Sequence, residues 1–190
     1  AYYASVSFVD ALVGKILTVL ETTGQRDNTI VIFTSDHGYH LGEHDMWQKV
    51  SIHEESAKVP LIISVPGKKP AVCRSLSELI DLYPTVSQLC GLKIPGNIQG
   101  KDISGMFDDP TVKVRDAALS SGKGRLLRTE KWALLDYGKK GELYDMENDP
   151  KQYDNLFEKS EYADTLAGLK AKLKAKLNEI GKNDLNLNKL

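Results

Sequence analysis

The chain has 190 residues, 41% hydrophobic and 27% charged, enough for a sizeable core in one globular unit or in a large domain with a small one. Its 25 Lys and Arg against 26 Asp and Glu leave a net charge of -1, so no global basic field draws nucleic acid or an anionic membrane, and an anionic ligand must be caught locally. No uninterrupted apolar run approaches the ~20 residues that span a bilayer, which argues against a membrane span.

Ala1 to Ser5 carry neither a basic nor an apolar leader pattern, so no signal peptide is expected there. Val6, Val9, Val13, Ile16, Leu17 and Leu20 then recur at helical spacing and meet a stop at Thr22-Thr23-Gly24, which predicts an amphipathic helix. Residues 28–34 form a β-rich run without polar alternation, the mark of a strand covered on both faces and hence of a central parallel strand. Residues 59–65 repeat that pattern and end at Pro66-Gly67, and Ser75 to Leu89 returns to helical spacing. Helix, strand, long loop, strand and helix spell α/β.

Beyond Gly91 the texture becomes turn-rich, which puts a boundary between residues 95 and 115. Residues 125–128 and 132–137 flank Thr129-Glu130-Lys131 as a hairpin, with 142–145 as the next strand of a small antiparallel sheet. Tyr162, Leu166, Leu169, Leu173, Leu177 and Ile180 place one apolar stripe on a final helix, whose lysine-rich face is read as solvated, and the tail 183–190 is expected to fray. The two domains expected are residues 1–105 and residues 106–190. Cys73 and Cys90 lack neighbouring Cys or His and read as ordinary thiols or one bridge, not as a zinc pattern. The chain holds no Asn-x-Ser/Thr sequon, which leans toward a bacterial source.

All four histidines lie between His37 and His53, where the first buried strand ends, and open α/β sheets bind ligands outside the carboxyl ends of their strands. Asp36 and His37 offer a carboxylate oxygen and an imidazole nitrogen on adjacent residues, and Gly38 lets the backbone turn or approach closely. Two readings stay open on spacing alone: a divalent-metal site, or an Asp capping a turn beside a solvent-facing His. His40 and His44 have the spacing of a zincin pair without its glutamate. Lys49 is a local cation suited to an anionic group, although a lysine taken alone is a surface residue.

Ser35-Asp36-His37-Gly38 after an apolar strand, Leu41-Gly42-Glu43-His44, Trp47-Gln48-Lys49 and Val59-Pro60-Leu61-Ile62 together resemble the type I sulfatases, with iduronate-2-sulfatase and its bacterial relatives as the nearest pattern. Asp81-Leu82-Tyr83-Pro84-Thr85 and Glu142-Leu143-Tyr144-Asp145 add anchors in family order. The resemblance implies part of an alkaline-phosphatase-like α/β sandwich with a mostly parallel central sheet, followed by a small antiparallel sheet and a C-terminal helix. It also implies that Asp36 and His37 bind a divalent cation, usually calcium, that Lys49 contacts the sulfate and acts in catalysis, and that Tyr39 and His40 line the substrate pocket. Glu43, His44 and Trp47 are read as loop scaffold, and Asp45 and His53 as surface residues.

Type I sulfatases make a formylglycine nucleophile in a Cys/Ser-x-Pro/Ala-x-Arg motif, and no segment of this chain fits it; Ser64-Val65-Pro66-Gly67-Lys68 lacks the Arg. The expectation is therefore a C-terminal portion, inactive alone, whose partner is the N-terminal part of the same sulfatase and whose substrate is a sulfated carbohydrate. Family habit adds a periplasmic, secreted or lysosomal location. The alternatives are a phosphodiesterase or phosphonate monoester hydrolase of the same superfamily, or a non-catalytic remnant.

Overall fold

The computed structural model describes residues 1–180, and the tail expected to fray lies outside the described residues. In chain order the elements are α1 (Tyr2–Thr22), β1 (Val31–Thr34), β2 (His40–Leu41), β3 (Trp47–Gln48), α2 (Glu54–Ala57), β4 (Leu61–Ser64), α3 (Leu82–Leu89), β5 (Ala118–Ser121), β6 (Arg125–Arg128), β7 (Trp132–Asp136), β8 (Gly141–Asp145) and α4 (Ala163–Ile180). They divide between two compact units, one made of Ala1–Thr34 and Pro60–Pro70, the other of Ser35–Val59 and the residues from Ala71 on.

In the first unit α1 stops in a Schellman turn: the Gln25 N–H donates to the Leu20 carbonyl at 2.9 Å, the Gly24 N–H to that of Glu21 at 3.1 Å, and Gly24 takes φ 67. No residue of α1 is buried. By length and composition alone the helix is long and apolar enough to cross a membrane, with a mean hydropathy of 1.5 over its most apolar 18 residues, a test that a helix packed on a protein core also passes. Asp10 and Lys15 break the apolar run without lowering the average enough. β1 and β4 pair antiparallel, Val31 opposite Ser64 and Thr34 opposite Leu61, where a parallel pair is expected from the sequence. A parallel return needs a crossover that carries a helix over the sheet, and between these strands the only helix longer than one turn of 3-10 is the four-residue α2.

In the second unit β5, β6, β7 and β8 form an antiparallel meander in sequence order. It contains the expected hairpin and next strand, plus β5, a strand the sequence reading did not separate from its turn-rich surroundings. Side chains alternate across the sheet, and both faces are apolar. Leu127, Leu134 and Leu143 meet Leu169 and Leu173 of α4, while Leu126, Ala133, Leu135 and Tyr144 on the other face meet Ile52. Each fully buried Leu contributes about 1.5–3 kcal/mol. The second face is therefore covered by the segment that leads from β3 into α2.

α3 begins at Leu82, later than its apolar spacing suggests, because two carboxylates take over the backbone before it. The buried Asp81 accepts the N–H groups of Glu78 and Lys101, both at 2.8 Å, and pairs with the Arg115 guanidinium. Glu78 accepts the Leu119 N–H of β5 at 2.7 Å and pairs with Arg115 at 2.8 Å. These bonds fix the chain in a capped turn where a longer helix would need it coiled. Cys73 and Cys90 are exposed free thiols.

Leu134→Ala and Leu135→Ala should each lower stability by about 2–5 kcal/mol in urea unfolding. Only Leu135→Ala, on the Ile52 face, should also speed amide hydrogen exchange across residues 51–57, which mass spectrometry of exchanged peptides reads directly.

Candidate functional site

Asp36 and His37 follow β1 in sequence. The Asp36 side chain accepts the His37 N–H at 3.0 Å, and its other oxygen stands 3.6 Å from His37 Nε2. His37 Nδ1 lies 2.8 Å from the Gly38 carbonyl, a group that can only accept, so the proton sits on Nδ1 and the Nε2 lone pair is left beside the carboxylate. Gly38 closes the turn: its N–H donates to the Ser56 carbonyl at 2.9 Å, and a Cβ there would collide with the Glu55 carbonyl. Glycine is needed at 38 for this close approach to α2, not for an unusual φ.

One carboxylate oxygen and one imidazole nitrogen fit a divalent cation, which would take its remaining ligands elsewhere. Among the described residues no group of three or more His, Cys, Asp or Glu side chains is placed to hold a metal ion. The Asp36 side chain is 83% exposed and open to such a partner.

Tyr39 is 37% exposed, but the expected pocket residue His40 is fully buried, and its burial keeps it from touching a substrate in this structure. His53, expected at the surface, is buried as well. His53 and His44 stack with ring centroids 4.2 Å apart, and His40 stands edge-on to both at about 6 Å, packed as aromatic neighbours commonly are. His53 Nε2 donates to Glu142 at 2.9 Å, and the Tyr144 hydroxyl donates to the same oxygen at 2.7 Å. The His53 hydrogen bond holds the Glu142 carboxyl below its usual range against the opposing pull of burial. Burial first, then the hydrogen bond to Glu142, pushes the Tyr144 phenol far up. His44 Nε2 lies 3.3 Å from Glu55. Sequence reasoning missed Ser51, Glu55, Glu142 and Tyr144; Glu142 lies 89 positions from His53, and no local signal joins them.

Lys49 leaves the β2–β3 hairpin exposed, and it forms no hydrogen bond or ion pair with any described residue. Its neighbours Gln48 and Val50 hold φ 72 and 85, and His44 and Asp45 in the hairpin turn hold φ 56. Each such left-handed non-glycine residue costs about 1–3 kcal/mol, with β-branched Val50 the least suited. Glu43 accepts the Leu41 N–H at 2.6 Å, which closes the hairpin and lowers its own pKa; Trp47 stays 68% exposed.

Gly38→Ala should cost at least about 1–3 kcal/mol by overpacking and displace the Asp36–His37 turn, measured as a lowered unfolding midpoint. Because the folded pKa of Glu142 is depressed, its stabilising share is present above its ordinary value of 4.5 and is lost as pH falls through the lower folded value. Glu142→Gln should therefore be less stable than the parent at pH 7, with the difference shrinking below about pH 4 in urea melts.

Comparison with known proteins relates the chain to one family. Residues 1–92 match the Sulfatase family model, a stretch that takes in α1, the Asp36–His37 turn and Lys49. The chain is 32% identical over 180 residues to the N-acetylglucosamine-6-O-sulfatase of Bacteroides thetaiotaomicron, covering 85% of this chain and 32% of that protein. A solved structure holding its substrate D-glucosamine-2-N,6-O-disulfate superposes with a TM-score of 0.81 at 32% identity, over 94% of this chain and 40% of the other. A phosphonate monoester hydrolase from Silicibacter pomeroyi superposes with a TM-score of 0.80 at 25% identity, over 92% and 39%. The chain thus spans about a third of the length of the curated relatives it matches, and its α/β architecture is that of the alkaline-phosphatase-like sulfatases. On this evidence residues 1–92 carry the sulfatase family's pattern, and the chain is similar to sulfatases over most of its length.

Proposed function

We propose that the whole protein hydrolyses sulfate esters of sulfated sugars and that this chain supplies two metal ligands, Asp36 and His37, and a sulfate-binding lysine, Lys49. The observation that carries the reading is the Asp36–His37 turn, an exposed carboxylate beside an imidazole whose other nitrogen is tied to backbone. The relative crystallised with a disulfated glucosamine supports a sulfated sugar as substrate. The order of motifs supports an iduronate-2-sulfatase-like specificity within that class.

A divalent cation at Asp36 and His37, calcium in this proposal, would offset negative charge on the sulfate oxygens. His37 Nδ1 is tied to the Gly38 carbonyl, which leaves Nε2 as the nitrogen that would bind the cation. The exposed Lys49 ammonium adds positive charge to stabilise the ester as charge builds on it. Tyr39 stands two residues beyond His37 and is assigned to the rim of the substrate pocket. The nucleophile, a formylglycine, is assigned to a part of the protein outside this chain, since no residue here lies in a suitable motif. The exposed apolar side chains of α1, among them Phe8, Ile16 and Val19, suit a helix packed against that remaining part. A periplasmic, secreted or lysosomal location goes with this reading.

In the whole protein, Asp36→Ala and His37→Ala should each lower kcat/KM for an aryl sulfate by at least about 100-fold, with a matching loss of calcium retained after gel filtration. Lys49→Ala should cost about 100-fold and leave calcium retention intact. Wild-type kinetics in all three would overturn the assignment. The resemblance to phosphonate monoester hydrolases favours a second reading, so the same protein is assayed on paired aryl sulfate and aryl phosphonate esters. Faster sulfate release sustains the sulfatase, and faster phosphonate cleavage replaces it.

A further inference from the structure

The most unusual feature outside the residues just assigned is the set of buried imidazoles beneath the hairpin. Three histidines with orphaned nitrogens suggest a metal, but the geometry speaks against one: His44 and His53 are stacked within 25° of parallel, so their in-plane lone pairs run side by side and do not converge on one ion. What the cluster does hold is backbone. His40 Nε2 lies 2.7 Å from the Ser51 hydroxyl, and the same oxygen accepts the His53 N–H at 3.1 Å. Ser51 is thereby fixed from two sides, two residues beyond Lys49.

The position of that anchor matters because of what lies just before it. Gln48 and Val50, on either side of Lys49, both hold positive φ without being glycine, and Val50 is 58% exposed, so its own side chain gains little from the conformation. Strained residues persist only where surrounding contacts over-determine them. On one side of Lys49 the contact is the β2–β3 pairing, which sets His40 opposite Gln48. On the other it is Ser51, bonded to the same His40. His40 therefore holds the chain on both sides of the lysine, before it through its backbone in the β2–β3 ladder and after it through its buried imidazole on Ser51, and Ile52 against the sheet fixes where that hold sits.

We propose that His40 and Ser51 are positioning residues for Lys49, holding its strained backbone so that the ammonium is presented outward in one place. The proposal rests on the sulfate-binding role of Lys49, and its test separates the two. His40→Leu keeps bulk and removes the hydrogen bond; His40→Gln carries an amide that reaches the position of Nε2; Ser51→Ala removes the hydroxyl. Each is made in the whole protein and assayed with 4-nitrophenyl sulfate, alone and in the Lys49→Ala background.

Ser51→Ala and His40→Leu should lower kcat/KM about tenfold, divided between KM and kcat as in Lys49→Ala, and should add less than about twofold once Lys49 is gone. His40→Gln should recover most of the loss. A second readout needs no turnover. Trypsin binds its substrates extended, so the left-handed Gln48 and Val50 protect the bond after Lys49, and releasing them should speed cleavage there at least about fivefold, followed by peptide mass. Losses that multiply with that of Lys49→Ala, or wild-type kinetics and cleavage in Ser51→Ala, would overturn the positioning role while leaving Lys49 in place. Wild-type kinetics in Lys49→Ala would overturn the role of the lysine, and the cleavage rate would still decide whether His40 and Ser51 hold the loop.

Discussion

A four-stranded sheet with apolar side chains on both faces has to be covered twice, and in the second unit the segment carrying the site residues leads into one of the two covers. α4 lies on one face through Leu169 and Leu173. The other face takes Ile52, with Ala57 beside it, and these residues follow directly on the hairpin that bears Lys49. Burying Ile52 contributes about 1.5–3 kcal/mol. The left-handed residues flanking Lys49 cost about as much each. Hydrogen bonds add to that apolar burial in holding the segment.

Those bonds converge on α2 and on the turn before it. Arg128 of β6 pairs with Glu54 at 2.9 Å, and the Glu54 N–H donates to the buried Gln152 side chain at 2.8 Å. His53 reaches Glu142 on β8. Three strand or loop positions of the small sheet therefore grip one short helix that would be far too brief to hold itself together. The Asp36–His37 turn leans on the same helix through Gly38 and Ser56. Asp36, His37 and Lys49 share no direct contact among the described residues, and the turn that carries the first two rests on α2 through Gly38.

Legibility in the sequence followed the range of the interaction. The α/β class, the hairpin of β6 and β7, and α4 all rest on local periodicity, and the Asp36–His37 pair is legible because its members are adjacent. Where a distant partner decides, the residues alone mislead. β1 carries the unbroken apolar pattern of a parallel strand and pairs antiparallel, because direction is set by the connection and not by the strand. α3 is shortened by Arg115, 34 positions from Asp81. His53 is exposed by every local criterion and is buried by Glu142 and Tyr144 on a strand of another region. β5 is a four-residue segment ending in two serines, and nothing within it signals a strand until β6 lies beside it.

This difference in range also separates the two kinds of site residue. The Asp36–His37 pair is almost self-contained: the carboxylate, the imidazole and the carbonyl that fixes its tautomer lie within three consecutive residues. Lys49 has no side-chain partner among the described residues, and its position is inherited from His40, Ser51 and the sheet face under Ile52. A local arrangement survives partial loosening of the small sheet, since it loses only the Gly38 contact with α2. An inherited one does not, because opening that sheet face frees Ser51 and lets Gln48 and Val50 relax to ordinary φ. The integrity of the small antiparallel sheet is thus coupled far more tightly to the lysine than to the carboxylate and imidazole beside Gly38. A subdomain that contributes no assigned catalytic side chain still governs where Lys49 stands.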